Sequence, residues 1–263
     1  MEKVSIIMPA YNEEKRIGKT LDVYSAYFEN LRKKRILDYE ILVIINAATD
    51  NTKKIVKKAK KKNPRIFYLD LVQGGKGYAV IEGFKIALNK KNDLIGFVDA
   101  DMATSPSSFK ELIDNIGEHD AIIASRYIKG ARVIPPNTFR RLIVSRIFNN
   151  LVRAFFLMPY KDTQCGAKLF KKKALQNTIK SLTLSHWAFD VDLIYNLRKE
   201  GFKIIEYPTV WVDKKYSKIN FFKAGPLMFL AILRLRLINS PFKGLISLYD
   251  RIPDKLKIHR RFR

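Results

Sequence analysis

Two aspartates one residue apart, Asp99 and Asp101, close a run of apolar residues, Leu94-Ile95-Gly96-Phe97-Val98. In an extended backbone side chains alternate, so both carboxylates project to one side, roughly 6.5–7 Å apart at their backbones. Like charges that close repel unless one takes up a proton or a cation sits between them. The end of a buried strand is where open α/β sheets bind ligands, which favours the cation. Hard oxygen donors of this kind select Mg²⁺ or Mn²⁺ over softer metals. Three further clusters stand at comparable places. Pro9-Ala10-Tyr11-Asn12-Glu13-Glu14 follows the first apolar run, and Tyr11 offers a flat face for a nucleobase. Asn12 and Glu13 can hydrogen-bond base or ribose, or equally cap the helix that follows. Asn46-Ala47-Ala48-Thr49-Asp50 follows the second run, and Gly74-Gly75-Lys76-Gly77 the third, where glycines admit a phosphate and Lys76 supplies charge. Four such sites at one end of one sheet converge on a crevice suited to a nucleoside diphosphate. A cation bridging its oxygens neutralises leaving-group charge and promotes transfer of the attached group.

The elements that must hold these clusters alternate along the chain. Strands are expected at 4–8, 40–45, 66–71, 94–98 and 121–124. Helices are expected between them, at 13–33 with Ile17, Leu21, Tyr24, Phe28 and Leu31 on one stripe, at 51–62, after Gly77, and at 107–116. That alternation predicts an α/β architecture, a doubly wound and mostly parallel sheet flanked by helices. Beyond Tyr127 the pattern loosens into helices at 137–157 and 186–199 and strand-like stretches near 203–206 and 210–212. Residues 1–220 read as one domain and 221–263 as a basic, hydrophobic tail. The tail's longest uncharged run, Ala224 to Leu233, is half of the roughly 20 residues a membrane span needs. An amphipathic segment is expected there, packed on the domain or lying in a membrane interface with its arginines at the headgroups.

Charge sets the partner class. Fifty Lys and Arg against 25 Asp and Glu give the 263-residue chain a net charge of +25, a field that attracts polyanions: nucleic acid, an anionic bilayer or phosphorylated substrates. A single cysteine, Cys165, excludes an internal disulfide framework and fits a reducing compartment. The first residues lead straight into a strand without a basic and apolar leader, so no signal peptide is expected. A basic nucleic-acid-binding domain would account for the charge, yet no recognised nucleic-acid module occurs and Asp99 and Asp101 would have no purpose. No nucleic-acid partner is expected. His119, His186 and His259 have no companions at metal or triad spacing.

Pro-Ala-Tyr-Asn-Glu-Glu, Gly-Lys-Gly, Asp-Ala-Asp and Ser125-Arg126-Tyr127 follow one another in an order and spacing that resembles the family 2 glycosyltransferases of GT-A fold. Asp162-Thr163-Gln164-Cys165-Gly166-Ala167-Lys168-Leu169-Phe170 and Trp187-Ala188-Phe189-Asp190-Val191-Asp192 resemble, more narrowly, the dolichyl-phosphate β-glucosyltransferase branch. The resemblance covers about residues 3–220. It implies that Pro9, Ala10, Tyr11, Glu13, Asn46, Lys76, Asp99, Ala100 and Asp101 form the nucleotide-sugar site, with Asp99 and Asp101 holding metal. Relatives usually carry paired aspartates where this chain has Ile45-Asn46, so the base the site reads is open, and polyprenyl-phosphate mannosyltransferases often carry a polar metal ligand where it has Ala103.

The acceptor follows from chemistry. A hydroxyl acceptor needs a base, whereas a lipid monophosphate is already anionic near neutral pH, with a second pKa of about 6. It needs cations and an apolar surface. Arg126, Arg140, Arg141, Arg153 and Lys168 are the candidate phosphate holders, and Asp101 and Asp190 are the candidate catalytic carboxylates, Asp190 orienting acceptor or sugar. The expectation is an inverting, metal-dependent hexosyltransferase, peripheral at the cytoplasmic face of the membrane, moving glucose from UDP-glucose to a polyprenyl (dolichyl) phosphate. GDP-mannose as donor and a hydroxyl as acceptor are the alternatives.

Overall fold

The computed structural model describes residues 1–136, 139–182, 188–212, 221–241 and 244, the side chains of 139–141, 221–224, 226 and 227 excepted. Nine strands and eight α-helices occur among them: β1 (Lys3–Ala10), α1 (Ile17–Lys33), β2 (Asp38–Asn46), α2 (Thr52–Lys62), β3 (Ile66–Leu71), α3 (Lys76–Leu88), β4 (Leu94–Val98), α4 (Pro106–Asn115), β5 (Ala121–Ser125), β6 (Arg132–Ile134), α5 (Phe139–Phe156), β7 (Ala167–Lys171), α6 (Lys172–Thr178), α7 (Phe189–Lys199), β8 (Ile204–Pro208), β9 (Val210–Val212) and α8 (Phe221–Ile238). Seven strands form one sheet in the order β3-β2-β1-β4-β7-β5-β8, and β6 pairs with β9 in a small second sheet.

Parallel pairing joins β3, β2, β1 and β4, and it joins β5 to β8. The near-continuous apolar runs of β2, β4 and β5 are what strands covered on both faces require, and every residue of β4 and β5 is buried. The departure from the expected sheet is β7, which runs antiparallel between β4 and β5. It comes from Ala167-Lys168-Leu169-Phe170-Lys171, part of a stretch that reads as a motif, and Lys168, its second residue, breaks the apolar pattern of a core strand.

Ile17, Leu21, Tyr24 and Phe28 of α1 are all fully buried, as their spacing requires, on the sheet face they share with Phe109 and Leu112 of α4. The helix starts at Ile17 and not at 13, because Glu13 to Arg16 form a turn in which the Glu13 carbonyl accepts from the Arg16 and Ile17 amides. On the opposite face Val80 and Phe84 of α3, Leu175 of α6 and Leu193 of α7 pack against Ile7, Phe97 and Phe170. A third cluster seats the tail helix: Ile232 and Leu235 of α8 lie against Val152 and Phe156 of α5 and Val191 and Ile194 of α7. The inner face of α8 is thus packed, while Phe229, Leu230 and Leu237 stay exposed. No helix among the described residues is long and apolar enough to cross a membrane.

Candidate active site

The parallel strands deliver their carboxyl ends to one edge, and the backbone bends sharply as each leaves the sheet. Asn12, Ala47 and Met102, which follow β1, β2 and the Asp99–Asp101 segment, all have positive φ (51°, 49° and 63°). Non-glycine residues adopt that region sparingly, and it concentrates where binding loops turn back on a strand.

Behind β1, Pro9 and Ala10 pair with Ile44 and Ile45, and Tyr11 emerges 52% exposed at the rim. Asn12 ties two loops together: its Oδ1 accepts the Thr49 amide at 2.8 Å. The Glu13 amide donates to Thr52 Oγ1 at 2.8 Å, and the Glu13 carboxylate grips Arg16 through Nε (2.6 Å) and Nη2 (2.5 Å). Arg16 Nη1 also lies 3.7 Å from Asp101 Oδ2. Of the two roles open to Asn12 and Glu13, both residues brace the loop internally. Asn46 ends β2, is 6% exposed, and its Oδ1 has no hydrogen-bond partner.

Asp99 and Asp101 differ in their surroundings. The Asp99 amide donates to the Gly166 carbonyl at 3.1 Å, and a Cβ at position 166 would lie 1.8 Å from Asp99 Oδ2, so only glycine leaves room for that carboxylate. Asp99 Oδ1 pairs with Lys76 Nζ at 2.6 Å. Lys76 opens α3 behind Gly75, whose φ of 131° requires glycine. Burial alone would lower the Lys76 ammonium, but Asp99, Asp190 and Asp101 outweigh it and hold it above its ordinary value. Asp101 accepts the Ala103 amide at 2.9 Å. Burial and the neighbouring Asp99 charge raise its carboxyl above the usual range.

Across β4 the cations are engaged. Arg126 donates through Nε (2.8 Å), Nη2 (2.9 Å) and its amide (2.9 Å) to Asp162, which is fully buried, and its guanidinium lies over the Trp211 and Tyr127 rings. Burial would lower that guanidinium, yet Asp162 holds it well above its ordinary value. Lys168 is fully buried; its ammonium donates to Asp190 Oδ1 at 2.6 Å and to the Cys165 carbonyl at 2.7 Å. Asp192 is also fully buried and accepts from Asn196 Nδ2 at 2.7 Å. Arg153 stands exposed on α5, whereas the side chains of Arg140 and Arg141, together with His186, Trp187 and His259, lie outside the described residues. His119 Nδ1 bonds the Ile116 carbonyl at 3.2 Å, remote from the crevice in its contacts. Sequence reasoning gave no site role to Arg16, Asp162 or Gly166, although the last two stand in the motif that carries the narrower resemblance. Arg16 carried a faint signal, three residues after Glu13 at helical ion-pair spacing.

The crevice fits a divalent cation in one respect and limits it in another. Asp101 carries a raised carboxyl whose nearest cation, Arg16, already serves Glu13, which is the condition a bound metal relieves. Among the described residues no group of three or more His, Cys, Asp or Glu gathers around a common point. The remaining ligands of a metal held at Asp99 and Asp101 would therefore be ligand oxygens and water.

The family model described as Glycosyl transferase family 2 matches residues 5–179. Among characterised proteins the chain is 31% identical over 243 residues to the dolichyl-phosphate beta-glucosyltransferase of Dictyostelium discoideum, covering 89% of this chain and 73% of that protein. It is 29% identical over 229 residues to the human enzyme of the same name, covering 83% and 70%. Glycosyltransferase AglD of Haloferax volcanii is 28% identical over 221 residues, where 83% of this chain spans only 34% of the relative. Among solved structures, glucosyl-3-phosphoglycerate synthase from Mycobacterium tuberculosis with Mn²⁺, UDP and phosphoglyceric acid aligns with a TM-score of 0.65 at 16% identity, over 90% of this chain and 78% of that one. Mannosyltransferase PcManGT from Pyrobaculum calidifontis with GDP-Man and Mn²⁺ aligns at 0.59 and 18%, over 98% and 68%. These structures establish the fold as GT-A.

Proposed function

We propose, from the premise that the chain belongs to glycosyl transferase family 2, that it transfers glucose from UDP-glucose to a polyprenyl phosphate, with a divalent ion at Asp99 and Asp101. The observation that carries the reading is the contrast between these two carboxylates at the end of β4. One is seated on Gly166 and paired with Lys76; the other stands half-buried beside it, its carboxyl raised by desolvation and by the Asp99 charge and met only by an arginine that also serves Glu13.

Tyr11, exposed at the rim, presents a stacking face to the base. The Asn46 amide offers one donor and one acceptor in either orientation, which matches the alternating edge of uracil. Lys76 stands beside the carboxylates, where a diphosphate would draw on its charge. Mg²⁺ or Mn²⁺ bound at Asp99 and Asp101 would neutralise the leaving diphosphate. A lipid phosphate attacks the anomeric carbon as an anion, so no side chain has to take its proton, and direct displacement gives a β-linked sugar. That accords with Asp190, whose Oδ1 is engaged by the Lys168 ammonium. The relatives named for dolichyl phosphate support the acceptor. The outer faces of α5 and α8 support contact with an anionic bilayer: Ile143, Ile147, Leu157, Phe229, Leu230 and Leu237 are exposed, and so are Arg146, Arg153 and Arg236.

Radiolabelled UDP-glucose and GDP-mannose, each incubated with the chain, Mn²⁺ and a polyprenyl phosphate, test the reading. Glucose label should pass into the organic phase, and chelator should prevent it. Label moving only from GDP-mannose overturns the donor; label moving only to a hydroxyl acceptor overturns the lipid phosphate.

A further inference from the structure

Lys168 is the largest charged side chain with no exposure in the described structure, and its ammonium is wholly provided for. It donates to Asp190 Oδ1 and the Cys165 carbonyl, and it lies 5.1 Å from the centre of the Phe97 ring. Buried ion pairs are costly, and apolar residues of similar volume in place of both partners often serve stability as well or better. What the pair does accomplish is geometric. Asp190 keeps 14% of its side chain exposed, so the ammonium holds Oδ1 while the carboxylate keeps access to solvent. Two observations bring Asp190 near the crevice. Phe189 packs so closely on Gly77 that a Cβ there would lie 2.7 Å away, which brings the first turns of α7 and α3 together. The Asp190 charge also acts on Lys76, the partner of Asp99. Through the Cys165 carbonyl Lys168 further fixes the turn whose next residue, Gly166, seats the Asp99 carboxylate.

We infer that Lys168 is a positioning residue for sugar transfer: a buried ammonium that aims the Asp190 carboxylate at the transferred sugar and braces the turn under Asp99, and not a contact for the acceptor phosphate. The inference rests on the transfer reading above. An oriented carboxylate accepts from sugar hydroxyls and favours positive charge developing at the anomeric carbon, so its effect belongs to kcat.

The test assays Lys168→Met, Lys168→Ala, Asp190→Asn and the double variant Lys168→Met/Asp190→Asn with the donor and polyprenyl phosphate used for the wild type. Each single variant should lose on the order of 100-fold in kcat, with both KM values within about threefold of wild type. The double variant should be no slower than either single one and should melt no lower than wild type, separating the loss of rate from any loss of fold. Ethylammonium should restore Lys168→Ala by about tenfold while ethanol does not, because only the cation replaces the lost charge. Wild-type kcat in a folded Lys168→Met variant overturns the inference, and so does a raised acceptor KM with unchanged kcat. Should neither single Lys168 variant fold, unchanged kcat in Asp190→Asn overturns it as well. A wild-type chain that labels no lipid phosphate breaks the underlying reading instead.

Discussion

The crevice is wired in opposite ways on its two sides. On the side of β1 and β2, carboxylates outnumber the cations that reach them: Arg16 is shared between Glu13 and Asp101, and Lys76 is taken by Asp99. On the side of β5 and β7, each basic residue expected to meet an acceptor phosphate and described in its side chain is bound to an internal carboxylate, Arg126 to Asp162 and Lys168 to Asp190, Arg153 alone standing exposed. A net charge of +25 therefore says little about the crevice. The surplus lies on surfaces such as α2, where seven lysines are exposed, and a cation at a site counts only after its nearest carboxylate is subtracted.

The comparison breaks most visibly at Arg126. Asp162 is fully buried and has the Arg126 guanidinium as its ion-pair partner, while the Asp162 amide is held by Glu206. Removing one member of a buried pair leaves an uncompensated charge and costs about 3–5 kcal/mol. Arg126→Met should therefore lower the melting temperature by on the order of 10 °C, read by calorimetry. Adding Asp162→Asn should recover part of the loss. If Arg126→Met instead keeps its stability and raises only the acceptor KM, the guanidinium is a free phosphate holder and the two sides are wired alike.

The second test lies on the other side. Asp101→Asn should reduce transfer by about 10²–10³-fold, because it removes charge from the place proposed for neutralising the diphosphate. Its effect on the metal-free fold should run the opposite way. A carboxyl raised in the folded state binds its proton more tightly there than in the unfolded chain. Its contribution to stability is thus present at low pH and lost as the pH rises through the raised value. Replacing it with an amide should raise the melting temperature by about 2 °C at pH 7, and the gain should shrink as the pH is lowered. A drop in melting temperature at pH 7 would mean that Asp101 is already compensated.

These two sides also differ in how far the sequence reveals them. The side of β1 and β2 is built from local signals: apolar runs end in Pro9, Asn46 and Asp99, helical stripes follow, and all of them fall where the sheet delivers them. Glu13 and Arg16 lie three residues apart. The side of β5 and β7 is built from pairs that are distant in the chain: Arg126 and Asp162 are 36 residues apart, Lys168 and Asp190 are 22 apart. No local pattern distinguishes a lysine buried against such a partner from one in solvent. For the same reason β7 is hidden, because the buried Lys168 within it reads as surface. The need for glycine at 166 depends on the carboxylate of Asp99, 67 positions away, and is visible only in space.

Cys165 reports on the wiring with the smallest perturbation, since nothing need be mutated. It lies fully buried between Asp162, Arg126 and Lys168. Two uncompensated cations beside a thiol would stabilise the thiolate and make it reactive. Here burial and the Asp162 charge prevail over both cations, and the thiol is pushed up to about 12. The native chain should leave its one cysteine unmodified by iodoacetamide at pH 8, with denaturant exposing it to full reaction. Any slow labelling should follow the rate of unfolding, not the concentration of reagent. The same shift sets a direction for stability. The neutral folded thiol contributes fully below its ordinary range and the contribution falls away as the pH climbs toward 12, because only the unfolded chain gains by ionising in between. Rapid modification of the folded protein at pH 8 would mean that Arg126 and Lys168 keep charge to spare, and the contrast between the two sides of the crevice would collapse at its centre.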